Sequence, residues 1–221
     1  MGKLVNIISN YHNSSKRNYL ERMNKKKPKN ILIAKKYGKE FWDGSRERGY
    51  GGYKYIPGKW TKIAKKLIKK YNLNNNSRLL DIGCGKAFLL HEIKLILPKI
   101  QIVGYDISKY AIQKSTNLIK PSLKVKSAES KYPFKNNYFD LAISISTLHN
   151  LKIFDLEKTL KEFERVCKNG YIVVESYRNV NELFNLQCWA LTCEAFFSTV
   201  EWKYLFKKFS YKGDYEFIFF K

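Results

Sequence analysis

From Arg78 onward, short apolar runs alternate with longer amphipathic ones. RLLDIG (78–83), QIVGYDI (101–107), FDLAISIST (139–147) and YIVVES (171–176) contain few polar residues, the pattern of strands buried on both faces of a parallel sheet. LKVKS (123–127) is a further short strand in this series. Between the strands, AFLLHEIKLIL (87–97), SKYAIQKSTNLIK (108–120) and DLEKTLKEFERVC (155–167) read as helices, with Ser108 placed as an N-cap. Strand and helix repeated with short links predict an open, doubly wound α/β sheet.

Upstream, PGKWTKIAKKLIKKY (57–71) carries Trp60, Ile63, Ala64, Leu67 and Ile68 at three- and four-residue spacing, a helix whose apolar stripe should lie on the sheet. Downstream, NELFNLQCWALTCEAFF (181–197) and TVEWKYLFKKF (199–209) predict two helices, and YEFIFF (215–220) a closing aromatic strand. SSKRNYLERMNKKKPKN (14–30) is basic and poor in large apolar residues, so a loose arm or a weak helix is expected there. The expected organisation is a basic, flexible arm over 1–30, a lid and helix over 31–75, and a core over 76–221.

At 221 residues the chain suits one well-buried core with a small cap. Its formal charge of +23 comes largely from scattered lysines. That charge reads either as a footprint for nucleic acid, an acidic carrier protein or a phosphorylated small molecule, or as a compositional bias on solvated faces. Four cysteines without CxxC spacing and three distant histidines predict reduced thiols and no metal site. The N-terminal MGKLVNIISN is polar too early for a secretory signal, Gly2 lacks a lipidation context, and no apolar run approaches a membrane span; a cytoplasmic protein off the membrane is expected.

The chemistry concentrates in DIGCGKA (81–87), a glycine-rich turn between a strand and a helix. Glycines there let backbone N–H groups approach a ligand. The second strand ends in Asp106, placed to accept the hydroxyls of a ribose. Asp81, two positions before Gly83, suits a ligand with a positive end better than a pyrophosphate. With these features in hand, DIGCGKAFLL, VGYDIS, AESKYPFKNNYFDLAIS and LKEFERVCKNGYIVVES resemble, in order and spacing, the class I S-adenosylmethionine-dependent methyltransferases, over residues 76–176.

That resemblance implies a mostly parallel seven-stranded Rossmann-like sheet with S-adenosyl-L-methionine as cofactor. By it, Asp81, Gly83, Cys84 and Gly85 hold the methionine moiety, Asp106 holds the ribose, Ile107 packs on adenine, Ala128 and Glu129 contact the adenine edge, and Ser146 ends the strand facing cofactor and substrate. Two departures stand out: Ala87 replaces a frequent third glycine, and Ser127 a frequently acidic residue. The opening stretch and the tail also resemble an uncharacterised bacterial subgroup, which makes them the expected readers of substrate.

YGKEFWDGSRERGYGGYKY (37–55) is expected to form that lid, with Tyr37, Phe41, Trp42, Tyr50, Tyr53 and Tyr55 as flat walls and glycines permitting close approach. Arg46, Arg48 and Arg178 are planar forks suited to a carboxylate or phosphate; a packed flap with solvated arginines is the competing reading. His149, Glu175 and Tyr177, after two strand ends, are the catalytic candidates, although adjacent strand residues face opposite sides. Cys193 and Glu194 are further wall candidates. The expected activity is methyl transfer to an O or N atom of a small anionic substrate such as a sugar, nucleotide or carboxylate-bearing metabolite. An RNA or protein methyltransferase, and a non-catalytic cofactor-binding partner protein, are the alternatives.

Overall fold

The computed structural model describes residues 2–9 and 17–221. Six strands form one sheet among them: β1 (Arg78–Ile82), β2 (Gln101–Asp106), β3 (Leu123–Val125), β4 (Leu141–Ile145), β5 (Gly170–Glu175) and β6 (Asp214–Ile218). Their order is β3-β2-β1-β4-β5-β6, and every pairing is parallel.

Helices cover both faces because the strands present apolar side chains to both. In β5, Tyr171 and Val173 join one core cluster, while Ile172 and Val174 join the other. The first layer contains α4 (Thr61–Lys70), α5 (Phe88–Ile96) and α8 (Val180–Trp189), through Ile63, Ala64, Leu67, Leu90, Ile93 and Leu186. The second contains α7 (Ile153–Val166) and α9 (Thr199–Lys208), through Leu156, Leu160, Phe163, Trp202, Leu205 and Phe206. Fully buried Trp202 alone contributes about 3–5 kcal/mol by the cost of truncating such a ring. The short α6 (Lys109–Gln113) is capped by Ser108, whose Oγ accepts from the Ala111 N–H at 3.0 Å.

Among the described residues the sheet has six strands rather than the seven expected, every pair of them parallel. The outer edge of β6 is taken instead by the N-terminal segment: Val5 N–H donates to Tyr215 O and Tyr215 N–H to Lys3 O. The buried Glu216 carboxylate then accepts from the backbone N–H groups of Ile7 and Ile8, at 2.7 and 2.9 Å, and of Ser9. These bonds cover an exposed strand edge.

Of the loose arm and the weak helix expected over 14–30, the described residues show short helices. Helix α1 (Tyr19–Asn24) packs on α8, with Tyr19 edge-on to Trp189 at 6.2 Å. Lys27 at the start of α2 (Lys27–Ala34) reaches the carbonyls of Gln187 and Cys188 near the end of α8, where the helix dipole favours a cation. Residues 10–16 of the arm, His12 among them, lie outside the described residues. No helix among the described residues is long and apolar enough to cross a membrane.

Strand order reverses between β1 and β4, so their C-terminal ends open a crevice at the switch point, where ligands bind in sheets of this kind.

Candidate active site

The loop after β1 is shaped by close approach. Gly83 and Gly85 have φ of +78° and +58°. A Cβ on Gly83 would run into the Thr147 side chain, and one on Gly85 would lie 2.7 Å from Trp42 Cη2. The loop hangs on the end of β2, where Gly83 and Cys84 N–H groups donate to Tyr105 O. Ala87 takes the left-handed conformation at φ +57°, so the third loop position keeps a glycine-like backbone with a methyl in place.

Asp106 ties the loop to the second strand. Its Oδ2 accepts from Gly85 N–H and its Oδ1 from Ser108 N–H, both at 2.7 Å. Each oxygen keeps a lone pair for a ligand hydroxyl. Asp81 is different: burial pushes its pKa up to about 8, with the charge on Asp106 adding to the shift. Its buried Oδ1 has no hydrogen-bond partner among the described residues. An orphaned carboxylate oxygen beside a glycine cradle fits the ammonium of the methionine moiety of S-adenosylmethionine, so the residues present suit that cofactor.

Two adjoining cavities meet at this loop. One, of about 400 Å³, is lined by Tyr37, Asp106, Ile107, Lys126, Ser127, Ala128, Glu129, Thr147 and Glu194. The other, of about 440 Å³, is lined by Asp81, Gly83, Cys84, Gly85, Phe88, His149, Glu175 and Trp189. Phe41, Trp42, Tyr50, Gly83, Ile145, Ser146 and Asn150 border both. The first holds Asp106 and the loop after β3, and the second holds the loop after β1, His149 and Glu175. Ser146, at φ +55° on the end of β4, stands at the junction, where backbone strain is held by the surrounding fold.

The lid is locked onto this site. Lys86, almost fully buried, donates to both oxygens of Asp43 at 2.7 Å and to Tyr53 O at 2.6 Å. Tyr110 OH donates to the same Asp43 at 2.8 Å. Trp42 Nε1–H donates to Ser108 Oγ at 2.9 Å, and its ring stacks on Tyr50 at 5.0 Å with planes 1° apart.

All the residues assigned to the cofactor by sequence line one cavity or the other, as does Ser127. Of the lid candidates, Tyr37, Phe41, Trp42, Arg46, Tyr50 and Tyr53 do so. Arg48 and Tyr55 do not: Arg48 pairs with Glu40, and Tyr55 OH donates to Glu92 at 2.6 Å on the far side of the lid. Arg178 is also misassigned, because it is exposed, paired with Glu182 one turn along and laid over Phe219 at 4.1 Å. Tyr177 lines neither cavity: its backbone bridges to Ser198 beyond the end of β5, and its side chain packs against the first core cluster although alternation puts it on the same face as Glu175. Cys193 lines neither cavity, whereas Glu194 lines the cavity that holds Asp106.

The two remaining catalytic candidates share one wall. His149 Nδ1 accepts from the Glu175 N–H at 3.2 Å, and its Nε2 lies 3.5 Å from Glu175 Oε2. Burial holds the imidazole neutral, with its pKa pushed down to about 3. That chemistry makes His149 a support for Glu175 rather than a base. Burial raises the Glu175 carboxyl to about 7, opposed by the charges of Arg17 and Arg22.

Arg22, Trp189 and Trp60 escaped the sequence reading. Arg22 sits in the segment read as a loose arm, and its spacing carries no periodic signal. Its guanidinium lies 4.3 Å over Trp189, which Arg46 approaches to 5.1 Å. Its Nε–H donates to Trp189 O at 2.8 Å and its Nη1 to Arg46 O at 2.6 Å.

A family model described as "Methyltransferase domain" matches residues 73–213. Mouse (Mus musculus) arginine-hydroxylase NDUFAF5, mitochondrial, is 30% identical over 110 residues, covering 49% of this chain and 31% of that protein. Malonyl-[acyl-carrier protein] O-methyltransferase of Legionella pneumophila is 35% identical over 75 residues, covering 33% of this chain and 26% of that protein. The chain thus spans about a third or less of the length of these two relatives. The crystal structure of the YcgJ protein from Bacillus subtilis superposes with a TM-score of 0.53 at 22% identity, covering 66% of each chain, a likeness of fold. The glycine cradle, the acid at the end of β2 and the matched family model agree: the chain belongs to the class I S-adenosylmethionine-dependent methyltransferases.

Proposed function

We propose that the protein transfers a methyl group from S-adenosylmethionine to an O or N atom of a small, anionic acceptor. The observation that carries this reading is the continuity of the larger cavity, which runs from the Asp81 and Gly85 loop to Glu175 and the arginines under a locked aromatic lid. When bound, the cofactor supplies a sulfonium methyl, whose S–CH3 bond breaks with its electron pair left on sulfur as the acceptor atom takes the methyl.

The chain's residues supply alignment and a proton acceptor. Asp81 orients the amino-acid end and Asp106 the ribose, which fixes where the methyl points. Trp42, Tyr50 and Tyr53 keep water from the acceptor. Glu175 takes the O–H or N–H proton, and its pKa of about 7 suits a general base near neutral pH. Among the charged residues lining this cavity, Arg17, Arg22, Arg46 and Lys59 outnumber Asp81 and Glu175, an excess that an anionic acceptor offsets.

Calorimetric titration with S-adenosylhomocysteine tests the cofactor half, with Asp106→Ala expected to weaken binding at least tenfold. Radiolabelled methyl transfer to anionic hydroxy- and amino-acids tests the acceptor half. A wild-type protein that binds no S-adenosylhomocysteine refutes the reading.

A further inference from the structure

The arm helix contributes a feature that the methyl-transfer reading does not require. Arg22 is half-buried, stacked on Trp189, and held by two backbone carbonyls through Nε and Nη1. Those bonds fix the plane of the guanidinium and leave its Nη2 donors for a ligand. Partial burial pushes its pKa down to about 10, with Arg46 reinforcing the shift, so the cation stays charged at neutral pH while lacking part of its hydration. A desolvated, fixed, planar fork is matched by a carboxylate, which takes it side-on with two hydrogen bonds.

The rest of the cavity sets the body of the ligand. Trp42 and Tyr50 stand parallel, and Trp60 and Trp189 add further ring walls. Trp42 and Tyr50 are stacked on each other at 5.0 Å, so a flat ligand ring packs against this aromatic wall rather than between its two rings. The volume of about 440 Å³ also includes the space beside Asp81 and Gly85, which leaves room for a single-ring molecule. Glu175 lines the same cavity as Arg22, so one ligand can reach both.

Building on the methyl-transfer reading, we infer that Arg22 is the specificity residue for an aromatic carboxylic acid, whose carboxylate docks on the guanidinium while a ring hydroxyl or amino group faces Glu175 as the methyl acceptor. The Glu175 carboxylate takes the proton released from that group, so the docked carboxylate remains intact in the product. Trp189 is a positioning residue that acts through Arg22.

The probe is 4-hydroxybenzoate, titrated calorimetrically into the full chain with and without saturating S-adenosylhomocysteine, beside cyclohexanecarboxylate and inorganic phosphate. The expected result is saturable binding of 4-hydroxybenzoate, at least tenfold tighter than either comparison. Arg22→Gln should weaken it tenfold or more with S-adenosylhomocysteine affinity unchanged. Arg22→Lys, which keeps the charge and loses the fork, should recover only part of the affinity; it also serves if the glutamine variant fails to fold. Failure of 4-hydroxybenzoate to bind, equal binding of phosphate, or indifference to both Arg22 substitutions overturns the inference. Failure of S-adenosylhomocysteine to bind would remove the cofactor reading instead, and the benzoate series run without it would still decide the role of Arg22.

Discussion

Cofactor binding should expel a proton from Asp81. In the free protein its carboxyl titrates at about 8, because burial penalises the charge and Asp106 repels it. With that value about 0.9 of the molecules are protonated at pH 7, since each pH unit below the pKa raises the protonated-to-ionised ratio tenfold. A ligand ammonium against the orphaned Oδ1 favours the carboxylate and drives its pKa down. Binding of S-adenosylhomocysteine at pH 7 should therefore release about 0.9 proton, and the affinity should rise about 25-fold between pH 6 and pH 7.5 as the proton to be displaced disappears. Calorimetry in phosphate, HEPES and Tris buffers, which differ in ionisation enthalpy, reads the proton directly. Asp81→Asn should abolish the release and cost about 10- to 100-fold in affinity, the worth of a charged hydrogen bond of about 1.5–3 kcal/mol. A release below about 0.2 proton in the wild type, or an equal release in Asp81→Asn, would show that Asp81 does not meet the ammonium.

Other expectations follow from the same geometry. Glu175→Gln should lower kcat by about 10²- to 10⁴-fold on acceptors that lose a proton, and the wild-type rate should fall as pH drops through about 7, because the base must be ionised. Asp81 and Glu175 both titrate higher in the folded state than their ordinary values of 3.8 and 4.5, so their contribution to stability is greatest below pH 4 and is lost as pH rises through 7 and 8. The ligand-free Tm should accordingly fall over that window, and a flat profile in differential scanning calorimetry would contradict the assignment. Asp43→Ala strands the buried Lys86 ammonium and should destabilise by about 3–5 kcal/mol in urea titrations, while opening the lid to faster cofactor exchange in stopped-flow fluorescence. Ala87→Gly relieves a left-handed backbone and should raise Tm by about 2–4 °C, the shift that about 1 kcal/mol gives in a chain of this size.

The lid lock and the arm show how an edge can be used twice. Ile8, in the segment that covers β6 through Glu216, also lines the cavity that holds Glu175 and Arg22.

Much of this protein was legible in the sequence because the decisive signals are local. Apolar runs such as LAISI can be satisfied only between two helical layers, and the glycines of DIGCGKA are needed where a loop passes within contact of Trp42 and Thr147. The placement of Asp81, Asp106 and Ser146 at the crevice was readable because strand ends and turns fix where they stand. The lid aromatics were readable as a group, yet which of them face the cavity was not, since Tyr53 and Tyr55 differ only in the side taken after a bend. Tertiary structure alone decided the rest. Arg178 falls on the face opposite Glu175 by alternation and pairs with Glu182, while Tyr177, on Glu175's face, is drawn off by the backbone bridge to Ser198. His149 looked like a base until burial and the Glu175 N–H took its lone pair. The arm looked loose by composition, and only the unpaired edge of β6, the end of α8 and the face of Trp189 gave its polar and charged groups partners worth ordering for. Contacts between segments some two hundred residues apart leave no periodicity in either, so no local pattern could have announced them.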